Sequence, residues 1–371
     1  MSLASNNKEK ERNILLVTPF MGTGGTEKII FNLCKGLMKN GWKVHLVSSG
    51  GRLVKDIRKV GVKHTQARSL SSKLPWYIYK SSKTINHIIT EYDIKIVNSH
   101  SYISAIVVAL TTLMNKKNYK HIFTLHIPER EFYFKIMGLT LNWLVDKVCT
   151  VCKWNKEKLI KSGVSKNNVD VIYNGIDIDY FKLNEKKIFN QDKIKIGVIA
   201  RLVKRKGHQV LLRAIKNLLD NFHYKNIEVY FYGDGPNLKS LKLFTSSLQL
   251  QNIIIFCGDT KDIKKAYNNI DLFVLPSFSE GLPLTILEAM CTKVPVITTN
   301  INGIPEVINN GVNGITFLPG DHLYLSKIIR DLIEKPRLRD KLINNAYSSV
   351  RKNFTLDKMI LKYDKLFDFY F

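Results

Sequence analysis

The 371-residue chain holds 57 Lys and Arg against 31 Asp and Glu, a formal charge of +26, with 45% hydrophobic and 24% charged residues. This composition describes a soluble globular protein of about two domains, and its longest apolar run, residues 102–114, falls short of the roughly 20 needed to span a bilayer, so a buried helix is expected there. The positive excess is spread over both halves, 28 − 12 = +16 for residues 1–178 and 29 − 19 = +10 for 179–371, without a basic block or nucleic-acid-binding signature; nucleic acid is not expected as a partner, which leaves a lysine-rich solvated surface, or attraction to an anionic substrate or an acidic membrane leaflet.

The N-terminus has charge ahead of an apolar run that breaks at Gly22 without a small-residue cleavage site. A mobile leader on a cytoplasmic protein is expected. NILLVTPF (13–20) then reads as a strand, followed by a glycine-rich turn and a helix with apolar residues at helical spacing. The turn GTGGT (22–26) has the flexible glycines that a phosphate or a sugar needs. It lacks the spacing of a GxGxxG fingerprint or a Walker A loop, so dinucleotide binding and ATP hydrolysis lose support.

Further strands are expected at KVHLVSS (43–49), IKIVNSH (94–100), HIFTLH (121–126) and VCTVC (148–152). His126 ends one of them at its carboxyl end, where ligands of such sheets bind. Residues 68–83 interleave Lys73, Lys80 and Lys83 with Trp76, Tyr77 and Tyr79, and 131–145 are rich in aromatics. These segments are either helix faces in the core or a membrane-interface surface that gathers lipid-linked acceptors. The five cysteines, Cys34, Cys149, Cys152, Cys257 and Cys291, suggest no disulfide framework. On a strand Cys149 and Cys152 point to opposite faces, so they would neither pair nor share a metal.

The charged, turn-prone stretch 180–193 marks the domain boundary, with an N-terminal domain over 1–180 and a C-terminal domain over 181–354. IKIGVIA (194–200) and the helix pattern after it repeat the opening plan, and strands follow at 227–233, 253–258, 272–277 and 294–299. Alternation of this kind predicts an α/β protein with two parallel sheets in tandem, a cleft between them and ligands at the strand carboxyl ends. The last helix, 355–371, carries Met359, Ile360, Tyr363, Leu366, Phe367 and Tyr370 at helical spacing and must bury that face.

Four loops of the second domain carry chemistry. Arg201 and Lys206 follow its first strand, where two cations can neutralise a diphosphate and Arg offers a fork to paired phosphate oxygens. Gly233 and Gly235 in YGDGP and Gly258 in CGD permit close backbone approach. In EGLPLTILEAM (280–290), Glu280 precedes a helix with Pro283 near its first position, and Glu288 lies about two turns on. The free amides around Gly281, Leu282, Pro283 and Leu284 and the partial positive charge there can receive an anion. Without a ligand, Glu280 would be a helix cap and Glu288 a paired surface charge.

ARLVKRKGH, YGDGP, PSFSEGLPLTILEAM, VPVITTNINGIPEVINNGVNGITFLPGD and VIYNGID resemble the signature segments of the family-4 retaining glycosyltransferases of the GT-B fold, in which two Rossmann-like domains face a central cleft. The resemblance runs from about residue 12 to the C-terminus, is most specific between 195 and 320, and includes the family's E-x7-E spacing at Glu280 and Glu288. It implies transfer of a sugar, with retention, from a UDP- or GDP-linked nucleotide sugar to a hydroxyl of a glycan or lipid-linked acceptor in cell-surface polysaccharide or glycolipid synthesis. By resemblance, Arg201 and Lys206 bind the donor diphosphate, Glu280 the donor-sugar hydroxyls and Glu288 the ribose. Gly24 and Gly25 approach phosphate and acceptor, His126 hydrogen-bonds the donor sugar, the 257–260 loop receives the base, and the terminal helix returns to the first domain. Two features depart from the pattern: NING stands where many relatives have paired glycines, at Asn302 and Gly303, and Pro283 lacks an amide that some relatives offer. No Asp-x-Asp pair sits at a matching strand edge, so neither a metal nor another cofactor is expected. A sugar-nucleotide epimerase or a phosphorylase, sharing the fold, is the alternative.

Overall fold

The computed structural model describes residues 11–72, 74–114, 118–127, 130–182, 189, 193–224, 226–260 and 262–371. The leader expected ahead of residue 11, most of the linker expected over 180–193, and Lys73 lie outside them. The chain forms two compact units, one from Met1–Val151, Lys156–Ile172 and Ile360–Phe371, the other from Cys152–Asn155 and Tyr173–Met359.

The first unit is built on a parallel sheet in the order β3-β2-β1-β4-β5-β6-β7. Its strands are β1 (Asn13–Val17), β2 (Lys43–Ser48), β3 (Lys63–Gln66), β4 (Ile96–Ser99), β5 (Lys120–Leu125), β6 (Lys147–Thr150) and β7 (Val169–Val171). β1 is buried along its whole length, which is why it reads as an unbroken apolar run: helices cover both faces of such a sheet. The helix Gly25–Lys39 turns Ile29, Ile30, Leu33, Cys34 and Leu37 inward at helical spacing. Its Gly36 has no room for a side chain, since a Cβ there would stand 2.2 Å from Ile360 Cδ1. Part of the terminal helix Leu356–Tyr370 therefore lies on this unit, burying Ile360, Tyr363 and Phe367, while Leu366 and Tyr370 are half-buried. Trp42 fixes it further, donating its indole N–H to Asp364 Oδ1 at 2.6 Å.

The second unit has a parallel sheet in the order β10-β9-β8-β11-β12-β13. These are β8 (Ile194–Ile199), β9 (Ile227–Tyr232), β10 (Ile254–Gly258), β11 (Leu272–Leu275), β12 (Val296–Thr299) and β13 (Ile315–Phe317). Its core joins Ile196, Val198, Val229 and Phe231 of the sheet to Leu211 and Ile215 of the helix His208–Phe222 and Ile329 of the helix His322–Glu334.

Several expectations need correcting. β3, β7 and β13, which the sequence reading omits, are sheet edges of three or four residues, too short or too polar to show a period. The buried helix expected over 102–114 is present but shorter, Tyr102–Ala109 with Ala105, Val107 and Val108 buried, and a 3-10 turn, Leu110–Leu113, follows it. The VCTVC strand ends at Thr150, and both its cysteines are buried and free.

The second unit begins at Tyr173, ahead of the boundary expected at 180/181, because the intervening residues pack on it. Asn174 Nδ2 donates to Leu282 O at 2.9 Å, and the Phe181 ring meets Tyr267 edge-on. Cys152–Asn155 joins the same unit through Glu306, whose carboxylate accepts from the Lys153 and Trp154 amides at 2.8 and 2.9 Å. No helix among the described residues is long and apolar enough to cross a membrane.

Candidate active site

The order of the second sheet reverses at β8, which pairs with β9 on one side and β11 on the other. Loops at the carboxyl ends of such neighbours diverge and leave a crevice. The loop after β8 holds Arg201 and Lys206, and the loop after β11 holds Glu280. Gly207 joins them, with φ +68° and so little space that a Cβ would stand 1.8 Å from Pro276 O. Only glycine allows that approach. Phe278 N donates to Arg205 O at 2.7 Å across the same seam.

Both carboxylates of the E-x7-E pair are buried, Glu280 to 5% and Glu288 to 3% exposure, which excludes the surface-charge reading of Glu288. Lys206 Nζ stands 2.5 Å from Glu280 Oε1, and Ser277 Oγ donates to the same oxygen at 2.7 Å. Arg205 Nη1 lies 3.9 Å from Glu280 Oε2 and donates to Ser279 O at 3.2 Å. Glu288 accepts from the hydroxyl of the buried Tyr267 at 2.9 Å, and burial with the adjacent carboxylate holds that phenol well above its ordinary pKa. Arg201 is exposed and has no carboxylate partner among the described residues.

The helix after Glu280 starts at Leu284, with Pro283 as the residue before it rather than its first turn. Gly281, Leu282, Pro283 and Leu284 are all buried, and Asn174 occupies the Leu282 carbonyl, so this segment is held rigidly. Asn302 solves the NING departure: it adopts φ +45°, a conformation asparagine tolerates, as a glycine would. Gly303 beside it packs so closely that a Cβ would meet Gly281 O at 2.3 Å.

The other two loops flank this pair. Gly233, at φ +132°, would drive a Cβ into Ala200 O at 2.3 Å, and Gly235 would meet Leu202 O at 2.5 Å. Gly233 N donates to Gly258 O at 2.8 Å, linking the ends of β9 and β10. Gly258 itself faces open space, at the start of the loop 257–260. Sequence reasoning missed Arg205, Ser277 and Tyr267. Arg205 was visible in the KRK run, whereas Tyr267 reaches Glu288 only through the fold.

In the first unit the order reverses between β1 and β4. Gly24 is the residue before the helix Gly25–Lys39, so GTGGT opens a helix as expected. His126 follows β5 and is buried, and burial lowers its pKa to about 4, which keeps the ring neutral. No group of three or more His, Cys, Asp or Glu side chains that could hold a metal ion occurs among the described residues.

Two family models divide the chain between them: glycosyltransferase family 4 over residues 23–180 and glycosyl transferases group 1 over 179–349. The chain is a glycosyltransferase. This glycosyltransferase is 28% identical over 304 residues to an uncharacterized glycosyltransferase of Methanocaldococcus jannaschii, covering 79% of this chain and 80% of that one. It is 26% identical over 254 residues, 64% of each chain, to the Escherichia coli UDP-Gal:alpha-D-GlcNAc-diphosphoundecaprenol alpha-1,3-galactosyltransferase. A crystal structure of a glycosyltransferase from Rickettsia africae matches 97% of this chain and 99% of its own at 26% identity, with a TM-score of 0.84. The two parallel-sheet units and this neighbour give the glycosyltransferase the GT-B fold expected from its sequence.

Proposed function

We propose that this glycosyltransferase moves a sugar, with retention, from a UDP- or GDP-linked donor to a hydroxyl of a glycan or lipid-linked acceptor in cell-surface polysaccharide or glycolipid assembly. The observation that carries the reading is the pairing of Lys206 with the buried Glu280 at the β8/β11 reversal, with Arg201 exposed on the same loop and without a carboxylate partner among the described residues. The bond from the anomeric carbon to the diphosphate oxygen breaks with its electron pair leaving on the diphosphate. Lys206 and Arg201 stabilise that charge as preorganised cations, without a divalent metal. The acceptor hydroxyl attacks the oxocarbenium-like carbon on the face the diphosphate leaves, and its proton passes to a leaving-phosphate oxygen. Glu280 accepts from donor-sugar hydroxyls, Glu288 from the ribose, the backbone of 257–260 from the base, and His126 is the first-unit side chain assigned to substrate. The glycines at 24, 25, 233, 258 and 281 let ligand approach the backbone. The name of the Escherichia coli relative, with a UDP-sugar donor and a diphosphoundecaprenol-linked acceptor, supports this choice of substrate classes.

A lipid-linked acceptor also suits the surface of the first unit. The helix Glu131–Leu144 turns Phe132 (67% exposed), Leu139 (77%) and Trp143 (89%) to solvent on one stripe, and Trp76, Tyr77 and Tyr79 of the helix Pro75–Glu91 are exposed too, so these aromatics are not core. Lys80, Lys83 and Lys135 accompany them. Apolar anchors among cations suit an anionic membrane leaflet.

Thermal shift with a panel of nucleoside diphosphates and nucleotide sugars tests the reading, because a ligand that binds only the folded state raises Tm. A shift with UDP or GDP sugars that is lost in Glu288→Ala supports it. Silence across the panel rejects it.

A further inference from the structure

Two buried histidines end adjacent strands of the first unit. β4 and β5 pair in parallel, and His100 follows one while His126 follows the other. His100 Nδ1 lies 2.9 Å from His126 Nε2, with the rings stacked at a centroid distance of 5.2 Å. The outer nitrogens, His100 Nε2 and His126 Nδ1, have no partner among the described residues, although the two residues are only 4% and 8% exposed. The His100 amide is tied to β1 by a 2.9 Å bond to Val17 O, so its ring springs from a fixed point at the sheet's reversal.

Hydrogen-bond arithmetic couples the rings. A neutral imidazole has one N–H donor and one acceptor nitrogen. If His100 Nδ1 donates, His126 Nε2 accepts and the proton of His126 sits on Nδ1. If His126 Nε2 donates instead, His126 Nδ1 is an acceptor and His100 carries its proton on Nε2. The outer nitrogen of His126 therefore cannot change role unless His100 changes with it. Burial opposes charge on either ring, and at His100 the neighbouring ring adds to it: His100 is pushed well below its ordinary pKa by burial and then by His126, whereas His126 is lowered by burial alone.

We infer that His100 is a positioning residue, which holds the ring of His126 through the shared hydrogen bond and ties to its own tautomer the role of Nδ1, the nitrogen that His126 has left for substrate. The link to substrate rests on the role proposed for His126, whereas the tautomer lock does not. The arrangement parallels second ligands that set a histidine's proton by bonding its far nitrogen.

Imidazole nitrogen NMR on the full chain at pH 7 reads the lock without any substrate, with His126 resonances assigned by their loss in His126→Ala. A single tautomer for His126 is expected in the wild type and in His100→Asn, whose amide can reach the same nitrogen. Tautomer averaging is expected in His100→Leu, and a single unchanged tautomer there overturns the inference. Release of UDP from UDP-glucose supplies the second reading. His100→Leu should lower kcat/KM about tenfold, the worth of one hydrogen bond, His100→Asn should recover most of it, and the double variant with His126→Ala should be no slower than His126→Ala alone. Additive losses would mark His100 as structural and overturn the inference. A wild type inactive on UDP-glucose counts against the transferase reading for that donor and leaves the NMR result to decide the lock.

Discussion

Lys206 Nζ lies 2.5 Å from Glu280 Oε1, a cation and a carboxylate from loops on different strands, both nearly buried. On the proposed reading such a pair serves folding and ligand at once, and Arg201 on the same loop would separate the two roles. Arg201→Ala should change stability by no more than about 0.5 kcal/mol, as for an exposed residue, while lowering turnover on the order of 10²-fold. Lys206→Ala should cost a similar factor in turnover and also about 3 kcal/mol of stability, since it strands a buried carboxylate. Urea unfolding beside steady-state kinetics checks both. Normal turnover in both variants would remove the diphosphate assignment.

Tyr267 and Glu288 make a second separable pair. Tyr267→Phe keeps the ring packing but deletes a hydrogen bond to a charged group, so a loss of about 2 kcal/mol is expected, with a smaller nucleotide-induced rise in Tm. Glu288→Ala should abolish that rise. An undiminished rise in Glu288→Ala would take the ribose from this residue.

Gly207 and Gly258 share φ +68° but differ in surroundings, Pro276 O crowding one and open space facing the other. Gly258→Ala should cost only the left-handed strain, about 1–2 kcal/mol. Gly207→Ala should cost clearly more and lower turnover too, because the β8 and β11 loops must separate. Equal losses in denaturant midpoints would contradict this account.

Burial lowers the pKa of both His126 and His208 from 6.5 to about 4. Between those values the unfolded chain binds protons that the folded chain refuses, so stability is complete above pH 6.5 and falls as pH drops towards 4. Tm should be level from pH 7 to 8 and decline below 6.5, less steeply in His208→Leu. A Tm that holds steady down to pH 4.5 would refute the burial argument.

Trp143 and Leu139 should govern membrane binding. Co-sedimentation with anionic vesicles should fall in the Trp143→Ala, Leu139→Ala variant at unchanged Tm, and salt should weaken it in the wild type. Absence of wild-type binding at low salt would sink the membrane reading.

Local pattern was enough to read two parallel α/β sheets from the alternation of apolar strands and amphipathic helices, and to find Arg201, Lys206 and Glu280 in loops at strand ends and Glu288 on the helix that follows, because strand and helix periods and glycine punctuation are properties of neighbouring residues. The polar edge β3 and the three-residue edges β7 and β13 escaped that reading, since a few residues at a sheet margin show no period. Partners across the fold lay equally beyond it. Tyr267 at Glu288, Gly207 against Pro276 and His100 on His126 are each set by strand order, which brings distant loops together. The same holds for burial: the chain names two glutamates, but only the packed structure decides that both sit out of water, where a carboxylate needs a partner.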